Sequence, residues 1–258
     1  MSSRSPVGGL VRKHVGQPRW EDVELQVDLS LCDELYSWIA ASWRGELQAR
    51  NVLVSTVDSE GNVIRQREFR RALITETTVP ALGGAAGDAG VLTLKLAPEA
   101  AQILPSGGGT VPVPRPTVGA LWVRSNFLFE LPGLDCTKVM KIDSFTVKQP
   151  FTSTDGAVRQ PGPLSFPNLY VTLPEQSAGT WESWFNSFVV RGNNADSNER
   201  AARLTLLSAD LQQPLARFEL FNVGIFRLAP VGEPRPAELD RRVVAGLYCE
   251  RMGFRMLR

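Results

Sequence analysis

Val23, Leu25, Val27 and Leu29 alternate with Glu24, Gln26 and Asp28, and this period of two predicts a strand with one buried face. Directly after it, Leu31, Leu35, Trp38, Ile39 and Ser42 recur at three-to-four spacing, which predicts a short helix stopped by Gly45. The same succession returns between Phe166 and Gly192. There an extended run, PNLYVTL, breaks at Pro174, and a short helix carrying Trp181, Trp184, Phe185 and Phe188 follows. Ser37-Trp38 and Arg44-Gly45 in the first stretch correspond to Ser183-Trp184 and Arg191-Gly192 in the second.

The correspondence continues downstream in unchanged order. VLVSTVD, ending at Asp58, answers to LTLLSAD, ending at Asp210, and the turn 59–62 answers to 211–214. A strand around Phe69 matches one around Phe218, and each stretch closes with a final strand, Val91 to Leu96 and Val243 to Cys249. A spacing that stays at about 150 residues through so many elements is the signature of a duplication.

Two tandem modules follow from it. The expected fold is mainly β (α+β): two antiparallel β-barrel or sandwich modules, each with one short helix. The expected layout is a flexible arm at 1–18, a first module at 19–104, a Pro/Gly-rich linker at 105–119 and a second module at 120–258. The second module opens with strands at Phe127 to Leu131 and at Val139 to Val147, joined by a turn at Pro132-Gly133, and then has a long polar loop from Phe151 to Phe166. The first has no such opening. It is incomplete, and its unpaired edge calls for strands from a neighbour or another protein.

Composition narrows the function classes. A net charge of +1 with 43% hydrophobic and 21% charged residues gives no overall pull toward nucleic acid or membrane. No apolar run is long enough to insert in a bilayer, and Cys32, Cys136 and Cys249 have neither zinc nor redox spacing. The single histidine, His14, sits in the arm without a nucleophile motif, and no Walker loop, HExxH or calcium loop occurs. Asp143, Asp155 and Asp210 read as solvated turn acids. No catalytic, cofactor-binding or metal-binding residue is assigned, no cofactor is expected, and the chain is not expected to be an enzyme. Arg65, Arg67, Arg70 and Arg71 surround Phe69 on one strand, an arrangement that suits either phosphate contacts or a solvated, subunit-facing strand.

Taken together, FLFELPGLDCTKVMKIDSF, the strand PNLYVTL with its Trp-rich helix, the hairpin LTLLSADLQQPLARFELFNVGIFRL and the closing VVAGLYCERMGF resemble the tail-tube proteins of contractile phage tails and phage-like injection systems. Phe218, Phe221 and Asn222 stand at matching places of that family's hairpin, whereas Gln213-Pro214 replaces its usual glycine turn. The resemblance implies a structural subunit of the tube, or of a baseplate hub or tube-initiating adaptor. Such a subunit self-assembles into a ring and meets other tube, sheath or baseplate proteins; with two modules per chain, the duplication favours a trimer of six modules over a hexamer. It implies assembly in the cytoplasm into a tail-like particle, no membrane insertion, and nucleic acid only as lumen cargo. The competing class is a monomeric β-sandwich that binds carbohydrate or another ligand through Trp and Phe.

Overall fold

Strands dominate, as the alternation requires, and two of them are long: β5 (Val63–Val79) and β15 (Pro214–Pro230), of 17 residues each. The computed structural model describes residues 20–29, 33–84, 88–105, 109–110, 122–152, 160–231 and 241–257, together with the backbone of 6–7 and 10–11. His14, Cys32, Asp155 and nearly all of the expected linker lie outside the described residues.

The first half begins with a two-residue ladder, β1 (Pro6–Val7) with β2 (Leu10–Val11). Then come β3 (Val23–Val27), helix α1 (Asp33–Trp43), β4 (Arg50–Val57), β5, β6 (Leu92–Ala97) and β7 (Ala100–Leu104). The second half holds β8 (Trp122–Glu130), β9 (Lys141–Ile142), β10 (Phe145–Lys148) and a small ladder of β11 (Phe151–Thr152) with β12 (Gln160–Pro161). After these come β13 (Leu169–Pro174), helix α2 (Gly179–Phe185) running into a π turn (Asn186–Val190), β14 (Arg200–Ser208), β15 and β16 (Arg242–Met256).

The duplication reappears as topology. In the first half β4 pairs with β5, β5 with β6 and β7, and β6 with β3. In the second, β14 pairs with β15, β15 with β16, and β16 with β13. All these pairings are antiparallel, and the two curled sheets form half-barrels. Each long strand bends at its ninth residue, Arg71 (φ 48°) and Asn222 (φ 54°), which adopt the left-handed conformation that residues other than glycine seldom enter. Each helix ends on a glycine at positive φ, Gly45 (77°) and Gly192 (71°). At Gly45, the N–H groups of Gly45 and Glu46 return to the carbonyls of Ser42 and Ala41, closing the helix where only a residue without Cβ is unstrained. The second helix carries one residue more between its tryptophan and its glycine, and the π turn absorbs it.

The two halves interlock. The expected single strand from Val139 to Val147 is two strands serving different sheets: β9 pairs with β13, and β10 crosses to β5, with Phe145 opposite Val79 and Lys148 opposite Glu76. The physical cause is a phase change. Ile142 is buried at an even position and Phe145 and Val147 at odd ones, so no single pleated strand can bury all three. At this part of its edge the first sheet is therefore completed from within the chain. Residues on either side of 85–87 are bonded in turn to strands of the second half. Leu82 exchanges backbone bonds with Ile142 (2.8 and 3.0 Å), and the N–H of Gly90 donates to the carbonyl of Trp122 (2.9 Å). Buried residues from both halves belong to one continuous core, from Val27 to Phe254.

Candidate functional site

The residues with chemical potential lie apart. Cys136 is half-buried and Cys249 buried, and burial pushes their thiols up to about 11 and about 12, so neither is a ready nucleophile. Asp143 pairs with Lys141 at 2.7 Å at the surface. Asp58 and Asp210 are equivalent turn acids: Asp58 accepts the backbone N–H of Glu60 at 2.9 Å, and Asp210 that of Gln212 at 3.1 Å. Among the described residues, no three His, Cys, Asp or Glu side chains are grouped to hold a metal ion.

Most of the tryptophans on which a sugar-binding reading rests are inside. Trp38, Trp43, Trp122, Trp181 and Trp184 are all buried, and only Trp20 is exposed. A shallow cleft of about 850 Å³ beside α2 has Thr180, Ser183, Asn193 and Arg200 on its wall. The face of the Trp184 ring is already covered there, because the Arg200 guanidinium stacks on it at 4.6 Å. Its counterpart in the first half does the same, with Arg50 5.8 Å above the Trp38 ring.

Of the four arginines on β5, Arg70 is held by Glu68 and Arg71 by Glu99, both at 2.8 Å. Arg65 and Arg67 are exposed. The register explains why. Across the first sheet Val54, Arg67 and Ile103 stand in one row; across the second, the equivalent row is Leu204, Phe218 and Phe254. The second row is buried because α1 of the first half lies on it. Trp43 stacks on Phe218 (5.7 Å) and tilts against Phe254 (5.9 Å), and Tyr36 packs on Phe254 (6.2 Å). The first row has no such cover: Ile103 is 60% exposed.

This junction between the copies combines strand pairing through β10, backbone bonds at Leu82, Gly83, Asp88 and Gly90, and aromatic packing by α1. Sequence reasoning placed Trp43 in neither role, because helical periodicity says which face is apolar and not which sheet it covers. The apolar residues Leu53, Ile64, Ile103, Val189, Val190 and Phe226 are exposed, which their sequence positions do not mark. Nothing in a period-two or period-3.6 pattern separates a residue buried in its own chain from one that awaits a partner.

No family model matches the sequence, and no curated protein matches it. Among solved structures, a chain in the cryo-EM structure of the anti-feeding prophage baseplate, 6-fold symmetrised, is similar over 52% of this chain and 94% of its own. The TM-score is 0.38 and the identity 13%, a likeness too distant to carry anything about function.

Proposed function

We propose that this chain is a structural subunit of a phage-tail-like tube or of its baseplate, in a hub or tube-initiating role, and that it assembles into a ring. One observation carries the reading: two copies of one sheet-plus-helix unit, with the same strand order and the same bends, are joined head to tail through the strand β10 and the helix α1. A contact of that kind, repeated by rotation from chain to chain, closes a ring. The motif resemblance to tail-tube proteins supports the identity of the ring. Strand edges fit the role as well: among the described residues, nothing pairs with the outer edge of β4, although β8 covers the equivalent edge of β14.

Mechanically the subunit would be passive, using backbone pairing and apolar packing to hold its neighbours. Negative-stain imaging of the purified chain at tens of micromolar (on the order of the Kd of a modest interface) tests it. Rings with a central opening are the expected result. Particles that remain single chains, alone and in the presence of tube or baseplate proteins of the same particle, would overturn it.

A further inference from the structure

We infer that the helix α2 of one chain docks on the uncovered β4–β5–β7 face of the next chain, repeating between chains the contact that α1 makes with β14–β15–β16 inside the chain. The inference presupposes the self-assembly proposed above and names the surfaces that perform it.

Inside the chain, the helix of the first copy reaches the sheet of the second with Trp43 and Tyr36, covering Phe218 and Phe254. The duplication supplies the counterpart of each partner. By the shared Arg-Gly ending, Val190 stands where Trp43 stands, and by the shared Ser-Trp pair, Glu182 stands where Tyr36 stands. By strand register, Arg67 stands where Phe218 stands, and Ile103 where Phe254 stands. The counterparts are the residues that the isolated chain leaves bare. Val190 is 66% and Ile103 60% exposed, Val189 is exposed beside Val190, and Arg67 and Glu182 are exposed charges of opposite sign. Docked as their equivalents are, Val190 meets Arg67 and Ile103, and Glu182 meets Ile103, whose cross-strand neighbour is Arg67, so an apolar centre has opposite charges at its side.

A second feature points the same way. β10 covers the edge of β5 at Glu76–Val79. The equivalent edge, at Arg227–Pro230 of β15, has β16 on one side and, among the described residues, no strand on the other. In both contacts the second copy of one chain faces the first copy of the next. The interface is therefore heterologous, each chain offering a helix face and a sheet face that differ. The occupant is a second copy of this chain, because the sheet face is built to the pattern of the one that this chain's own helix already covers.

Lysine substitutions test it in the full-length protein. In Val190→Lys and in Ile103→Lys, the new charge sits at an exposed position of the free chain, so the melting temperature should change little, but in the docked pair it is pressed against an apolar partner, Ile103 or Val190, and loses its water. Mass photometry over a concentration series should show each variant alone self-associating at least tenfold more weakly than wild type. An equimolar mixture should form dimers that grow no further, because one intact helix face then meets one intact sheet face and the remaining faces both carry lysine. Variants that assemble like wild type, or a mixture that stays monomeric while wild type assembles, would overturn the surfaces named here and leave the ring standing. A wild-type chain that never associates would remove the ring as well.

Discussion

Trp38 and Trp184 show how little of a side chain's role depends on its local sequence once the unit around it is duplicated. Both are buried and both lie beneath an arginine from the following strand, and the indole N–H of Trp38 also donates to the carbonyl of Gln48 at 2.7 Å. Replacing Trp184 with alanine should destabilise the fold by about 3–5 kcal/mol through the cavity it opens. Urea denaturation reads this directly, and a loss under about 1 kcal/mol would show that the helix is not anchored there. The two turn acids give a pH signature. The Asn62 side chain and then backbone N–H groups hold the Asp58 carboxyl below its ordinary value, and the Ser208 hydroxyl followed by the N–H of Gln212 does the same for Asp210. An unfolded aspartate titrates near about 4, so the stability these groups contribute is complete above that pH and is lost as the pH falls through their lower folded values. A double variant, Asp58→Ala with Asp210→Ala, should melt lower than wild type at neutral pH and lose less between about pH 5 and pH 2. Parallel melting curves for the two proteins across that range would refute the role of the turns. Cys249, with its thiol buried and raised to about 12, should react with a disulfide reagent only on unfolding.

At the scale of elements, the two 17-residue strands owe their shape to one residue each. Asn222 is exposed and lies at φ 54°, so its side chain packs little and its backbone conformation is what matters. Asparagine tolerates that region and a β-branched residue does not, so Asn222→Val should destabilise by about 1–2 kcal/mol while Asn222→Gly stays within about 1 kcal/mol of wild type. Equal stability of the valine and glycine variants in chemical denaturation would mean the bend is not held at this residue. These bends were invisible in the sequence, since Arg71 and Asn222 share no residue type. The main strands, the two helices and the two-module β fold were legible, because alternation at Val23–Leu29 and three-to-four spacing at Leu35–Ser42 are local properties of the chain, whereas β7 and the β11–β12 ladder inside the expected loop from Phe151 to Phe166 were not. The split between β9 and β10 was legible in principle. Ile142 and Phe145 are out of phase, and one strand holding both would turn Lys141 and Asp143 to the same face as Phe145 and Val147. Which sheet β10 would join was not, because strand partners are set by contacts far apart in sequence.

At the scale of the whole molecule, the copies are joined so closely that they should not behave as independent units. Gly90 lies against the ring of Trp122, and a Cβ there would come within 2.2 Å of it, so the close approach of the halves depends on that glycine. With one core running through both halves, thermal unfolding should follow a single transition, and calorimetric and van't Hoff enthalpies should agree. Two resolved transitions would show that the shared core does not couple them. Stoichiometry then depends on how many such junctions close the ring, and six is the number expected from the duplication. If a chain-to-chain contact repeats the contact inside the chain, each step around the ring is one copy, and alternate steps are covalent. Six steps make three chains, presenting the arginine-bearing strand β5 and the apolar strand β15 in turn, so a three-fold particle would sit in register on a six-fold ring. Mass photometry of the assembled particle should give the mass of three 28.3 kDa chains, and symmetry averaging of its images should show six similar lobes that alternate in kind. A particle of six chains, or three chains with only three lobes, would mean that the inner and outer junctions differ in angle, and the internal contact would no longer serve as the pattern for the ring.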